Sequence, residues 1–318
     1  SNPWSTTSTG GGSNAASGLT TTAAASDGSS AANPWAGVDV TTPSVPKANG
    51  APVLSTYNKL LLSTSTAPIA ICVKKLKAVL PIQSQDALEL LQSDLNQNKA
   101  PSEATVTMTI GYFLDDNKDD DNLLYVLILM RSIVLYSLTT SNESDEENTI
   151  RNYINKIMSQ LVTKQRLDTP RLRSMGWCVL SNAFSRPSSN LEKLLRQPQD
   201  VVDSCLFDLS SAATGSPELR QSCVSFLHNM VHFSSQQKDT PDWAVSVLLA
   251  LMEGLDQEGD EVVLLRAVLI IGKMLLRFEG CKDLMNDLGF DEILRGVNAR
   301  MESKTGDIVK EILGILGS

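Results

Sequence analysis

The sequence predicts an all-α protein, an armadillo/HEAT-like superhelical solenoid behind a disordered N-terminal tail. Three observations lead there. From residue 67 onward, apolar residues recur mostly at helical spacing. Three of the helical segments share a pattern repeated at 46–47 residues. Strand patterns are scarce, and no G-x-G-x-x-G stands between a strand and a helix.

The tail comes first. Residues 1–50 hold 33 Ser, Thr, Gly or Ala and three charges, Asp27, Asp39 and Lys47. Such a segment buries too little apolar surface to offset its ordering entropy, so disorder is expected. Asn2-Pro3-Trp4 recurs as Asn33-Pro34-Trp35. The repeat is either an accident of linker composition or a pair of small docking anchors built on tryptophan. No basic region followed by an apolar run marks a signal peptide. The most apolar stretch, Leu123–Leu138, is divided by Arg131 and Ser132 and is too short to span a bilayer. A soluble chain without membrane insertion is the expectation.

Residues 51–318 are long enough for one large domain or two modest ones. Helices are expected at about 67–80, 85–96, 102–113, 122–140, 146–163, 170–185, 189–196, 199–213, 217–234, 241–257, 261–278, 280–287, 289–301 and 306–316. Thr169-Pro170, Ser216-Pro217 and Thr240-Pro241 each put a capping hydroxyl before a proline at the first helical position. Ala104–Tyr112 alternates and also fits a short strand, but it has no evident partner, so helix is preferred.

Charge is unevenly distributed. The net charge is -9, and residues 115–147 alone carry nine acids against two bases. The rest of 51–318 is close to neutral, with 25 acids and 24 bases, and is free to hold a local basic patch. A generally basic nucleic-acid surface is not expected. The run DDNKDDDN lacks the glycine and terminal glutamate of a calcium loop and reads as solvated.

The repeat aligns Leu172-Arg173, Leu219-Arg220 and Leu265-Arg266, with Asn182 and Asn229 each ten residues after the leucine. Helical repeats of this length stack into a superhelix whose inner helices line a concave face. There an asparagine amide offers donors and an acceptor to a peptide backbone. Alternatively it caps a carbonyl within the stack. Arg131 and Arg266 interrupt strongly apolar helices. An unpaired buried guanidinium is costly, so each must reach a groove, a surface or an acid. They are candidate clamps for carboxylate or phosphate, or else internal ion pairs or snorkelling side chains. Lys273 and Arg277 fall about 20° to either side of Arg266 around their helix. Arg171, Asn182 and Arg186 form a similar stripe. Trp177, sharing a helix with Asn182, either frames an aromatic pocket or packs between repeats.

Enzyme chemistry has little support. His228 and His232 lie four apart, but HNMVH lacks the acid of a zinc hydrolase and a third ligand. The five cysteines (72, 178, 205, 223 and 281) show no short pairing and no base at a recognisable spacing. No G-x-S-x-G and no P-loop occurs. No cofactor or metal is expected.

The stretches LLYVLILMRSIVLY, RSMGWCVLSNAFS, CVSFLHNMVHFSS and EVVLLRAVLIIGKMLLRFEGCKDLMNDLGFDEIL resemble the PUL domain. This is the C-terminal armadillo-like domain of phospholipase-activating protein and its fungal equivalents. The resemblance covers roughly 51–318 and is most specific from Glu261 to Ile293. It implies a stack of about six armadillo-like repeats. It also implies a non-catalytic adaptor whose basic groove binds the acidic C-terminal tail of the valosin-containing AAA ATPase, in ubiquitin-dependent degradation in the cytoplasm or nucleus. The family's two groove arginines fall on Arg131 and Arg266, and its inner-helix asparagines on Asn182 and Asn229. Lys273 and Trp177 complete the expected site. Ubiquitin would be bound only through upstream modules absent from this chain. The acidic loops near 115–121 and 141–147 depart from the family. A plain helical scaffold without a peptide groove and, on weaker grounds, a hydrolase are the alternatives.

Overall fold

A computed structural model describes residues 54, 59–63, 69–116, 122–137, 145–185, 198–210, 216–300 and 304–317. The tail with both Asn-Pro-Trp elements, the helix expected at 189–196, Arg186 and most of the two acidic loops lie outside the described residues.

Helix follows helix along the chain. They are α1 (Ile69–Lys77), α2 (Ile82–Asn96), α3 (Glu103–Val106), α4 (Leu123–Ser137), α5 (Asp145–Thr163), α6 (Pro170–Ala183) and α7 (Gln199–Ser210). Then come α8 (Pro217–Phe233), α9 (Asp242–Leu255), α10 (Glu261–Arg277), α11 (Cys281–Asp287), α12 (Phe290–Arg300) and α13 (Lys304–Gly317). The alternating stretch 104–112 is helical, and α3 runs on as a π-helix over Thr107–Asp116. Within it the Thr109 hydroxyl donates to the Thr105 carbonyl (2.6 Å), the kind of competing bond that distorts a helix. Among the described residues there is no sheet, only one isolated bridge between Gln237 and Phe278.

The caps work as their chemistry requires, with one exception. Thr169 accepts from Leu172 N–H and Ser216 from Leu219 N–H, each with proline at the first turn. Asp260 accepts from the amides of Val262 and Val263 and begins α10. Thr240 does not cap: α9 begins at Asp242 behind Pro241, and the Thr240 hydroxyl is buried without a partner. Its loop is pinned elsewhere. Gln237 and Lys238 exchange backbone hydrogen bonds with Arg277, Glu279 and Gly280.

Helices stack in two rows, an arrangement consistent with a superhelix. One row runs α1, α4, α6, α8, α10 and α13, each packed on the next. The other runs from α3 and its π-helical extension through α5, α7 and α9 to α12. One continuous apolar core lies between them, from Leu54 to Leu316. α4, α6, α8 and α10 have neighbours on two sides within their row and others behind. This accounts for apolar residues nearly all round α4 and α10.

Buried ion pairs weld successive helices. Arg173 Nε donates to Asp208 Oδ1 (2.6 Å), joining α6 to α7, and Arg220 Nε to Glu258 Oε2 (2.8 Å), joining α8 to the turn after α9. These are the arginines of the repeated Leu-Arg pairs, so in the first two repeats that motif is structural. All five cysteines are free and buried. Among the described residues, no helix is long and apolar enough to cross a membrane.

Candidate functional site

The first of the two rows carries a column of polar side chains. Counted from the caps Thr169, Ser216 and Asp260, the thirteenth residue is Asn182, Asn229 and Lys273 in turn. The cap register therefore differs by two from the Leu-Arg register in the third repeat. Lys273, not a residue near it, is the counterpart of the two asparagines, and Arg266 is not the counterpart of Arg173 and Arg220.

Each asparagine ties its helix to the preceding one. Asn182 Nδ2 donates to the Arg131 carbonyl of α4 (3.0 Å), and Asn229 Nδ2 to the Ser181 carbonyl of α6 (3.1 Å). The same two side chains grip a non-helical strap from the start of the domain. Ser63 N–H donates to Asn182 Oδ1 (2.8 Å), and Asn182 Nδ2 donates back to Ser63 O (3.0 Å). Leu61 N–H donates to Asn229 Oδ1 (2.8 Å), and Asn229 Nδ2 donates back to Leu61 O (3.0 Å). The asparagines thus do both things open to them in the sequence: they satisfy carbonyls within the stack and they hold a peptide backbone. The backbone is the chain's own. From Leu61 on α8 to Ser63 on α6 the strap runs opposite to the order of the helices, and farther back in the chain the helical Leu54 donates its N–H to Glu311 Oε2 on α13 (2.8 Å). Leu54 packs on Gly272 so closely that a Cβ there would strike its Cδ2.

Arg131 lies under the strap, 1% exposed, and donates from Nη1 to Ser63 Oγ (3.1 Å). Arg266, 4% exposed, donates from Nη1 to the Gln221 carbonyl and to Ser225 Oγ, each at 2.7 Å. No described carboxylate pairs with Arg266, and burial pulls its pKa down to about 10. Both guanidiniums act on the Cys178 thiol of α6, which places them around one stretch of that helix.

The third position of the column is cationic. Lys273 Nζ lies 2.6 Å from His232 Nδ1, and Arg277 Nη2 donates to the His232 carbonyl (3.1 Å). Burial, reinforced by Arg277, lowers the Lys273 ammonium to about 8. His228 stacks on His232 at 6.5 Å between ring centroids. Burial and the Lys273 charge push His228 to about 3 and His232 to about 4, so both are neutral near pH 7. Lys273 therefore donates to an imidazole lone pair, not to an acid. Arg266, Lys273 and Arg277 form a cationic stripe with no carboxylate bonded to it among the described residues.

Trp177 corrects the expectation of an aromatic pocket wall. It is fully buried, its Nε1 donates to Asp208 Oδ2 (2.6 Å), and its ring packs 5.0 Å from Phe226. The Arg173–Asp208 pair needs a further donor to satisfy the carboxylate, and the indole supplies it. Sequence reasoning also missed the strap and the part played by His232. The cap spacing carried the signal for Lys273. Nothing local carried the signal for the strap, because Ser63 and Asn182 are 119 residues apart.

Among known proteins, no family model, no curated protein and no solved structure matches this chain.

Proposed function

We propose that the chain is a non-catalytic interaction scaffold of armadillo/HEAT-like repeats, about six of them across residues 51–318, organised around its own segment 59–63. One observation carries this reading. Asn182 and Asn229, the polar residues best suited to hold a bound backbone, are engaged by Ser63 and Leu61 of the same chain. Arg131 then serves to hold the strap, and Trp177 to hold the core.

A second reading is carried by the cationic stripe. Arg266, Lys273, Arg277 and His232 lie beyond the two asparagine positions, and no described carboxylate is bonded to them. That stripe suits an acidic extended peptide. Through the resemblance to PUL domains, the peptide would be the acidic C-terminal tail of the valosin-containing AAA ATPase, and the setting ubiquitin-dependent degradation in the cytoplasm or nucleus. Here Arg266 and Lys273 contact the ligand, while Arg131 acts only through the strap.

Titration of the full chain with that tail peptide separates the readings. Tight binding that weakens at least tenfold in Arg266→Gln and in Lys273→Gln, and weakens with salt, supports the peptide site. Absence of binding leaves the scaffold alone. Equal affinity in wild type and both variants removes the stripe as the site.

A further inference from the structure

We infer that segment 59–63 is an exchangeable occupant of a backbone-reading groove. An extended segment of another chain, with an apolar residue followed two positions later by a hydroxyl residue, can replace it on Asn229 and Asn182. This does not rest on the acidic-peptide reading, which concerns the neighbouring stripe on α8 and α10.

Four observations carry it. The grip is generic: each asparagine takes only the N–H and C=O of one strap residue, groups that almost every residue offers. The gripped residues are two apart, and alternate residues of an extended chain share a face. The site is also preformed. The bonds of Asn182 to the Arg131 carbonyl and of Asn229 to the Ser181 carbonyl do not involve the strap, and α4, α6, α8 and α10 pack directly on one another. Finally, side-chain selection is confined to a few contacts. Leu61 is buried at the Asn229 position, and Ser63 is buried at the Asn182 position, where its hydroxyl meets Arg131 and the Cys178 thiol. A hydroxyl beside Arg131 and an apolar side chain two residues earlier are therefore the pattern the groove selects. Residues 61–63, Leu-Leu-Ser, supply that pattern in cis.

The test uses the full chain and a labelled synthetic peptide of residues 54–65 as probe. In Ser63→Cys, the new thiol lies beside Cys178, and oxidised glutathione converts the two thiols to a disulfide while being reduced to two equivalents of glutathione. The wild-type chain is expected to bind the probe. Leu61→Ala, which weakens the resident strap, is expected to bind it at least fivefold more tightly. Oxidised Ser63→Cys should bind at least 20-fold more weakly than the same variant reduced. In wild type, the Leu61 and Ser63 amides should exchange with solvent at least 100-fold faster than the core amides of α8. Equal probe binding by oxidised and reduced Ser63→Cys would overturn the inference. So would exchange of the Leu61 and Ser63 amides in step with the α8 core, since the strap would then open only when the whole protein unfolds.

Discussion

Asn182 and Asn229 stand 47 residues apart on neighbouring helices, yet they hold residues two apart, Ser63 and Leu61, on one segment. The helix stack brings together two side chains that the sequence separates by a whole repeat. Each amide group then meets a strap N–H, a strap carbonyl and a carbonyl of the preceding inner helix, and Asn229 Oδ1 also lies 3.2 Å from His228 Nδ1.

Replacing either asparagine by alanine leaves two buried carbonyls and one N–H without it. An unsatisfied buried backbone group costs about 1–3 kcal/mol, and local relaxation recovers part of the sum. Asn229→Ala and Asn182→Ala are each expected to lower unfolding free energy by about 2–4 kcal/mol in urea titration. A loss below about 0.5 kcal/mol would mean that water replaces the amide without cost.

Gly272 is where α10 makes room for Leu54. A Cβ there meets Leu54, whereas at Gly176 it meets the Leu161 methyls at 3.1–3.2 Å. Gly272→Ala should therefore displace Leu54 and break its N–H bond to Glu311. The check is amide exchange: Leu54 should lose protection at least tenfold while α6 and α8 are unchanged. Gly176→Ala should leave Leu54 alone.

Acid should weaken the fold through the stacked histidines. His228 titrates near 3 and His232 near 4 when folded, against 6.5 in an unfolded chain. The unfolded chain thus binds more protons in this interval. Their contribution is complete above about pH 6.5 and is lost as pH falls toward 4 and then 3. From pH 7 to pH 5, His228 alone accounts for about 2 kcal/mol. Urea melts of wild type and His228→Gln across this range test the assignment, because the variant should show a shallower slope. Lys273 works in the same direction at higher pH: its folded pKa of about 8 lies below 10.5, so stability from this group also rises as pH climbs from 8 to 10.5.

Asp208 accepts from both Arg173 and Trp177 in the core between α6 and α7. Asp208→Ala strands a buried guanidinium and is expected to cost about 3–5 kcal/mol. Replacing Arg173 by Met and Asp208 by Leu together should cost less than the sum of the single changes. Additive losses in thermal or chemical melts would show that the two side chains are not coupled.

The helices were legible because their signals are local. Apolar residues recur every three or four positions, and Thr169-Pro170 and Ser216-Pro217 carry their caps beside the helices they start. Thr240-Pro241 looked the same and failed, because its loop is bound to the end of α10, a contact its own neighbours do not encode. The long repeat was legible through Asn182 and Asn229. The Leu-Arg pairs that accompanied them blurred the third register, since Arg173 and Arg220 answer to Asp208 and Glu258 while Arg266 answers to Gln221 and Ser225.

By itself the sequence determined that this chain is helical, that its helices repeat, and that two arginines buried in apolar helices would need polar partners. Helix propensity, capping and the cost of burying charge act within a few residues, so one strand of text contains them. Only the tertiary structure decided that those partners are a serine of the strap, a backbone carbonyl and a second serine, that Trp177 belongs to the core, and that residues 61 and 63 lie against Asn229 and Asn182. These contacts join residues 31–168 positions apart, and they exist only once stacking has placed the helices side by side.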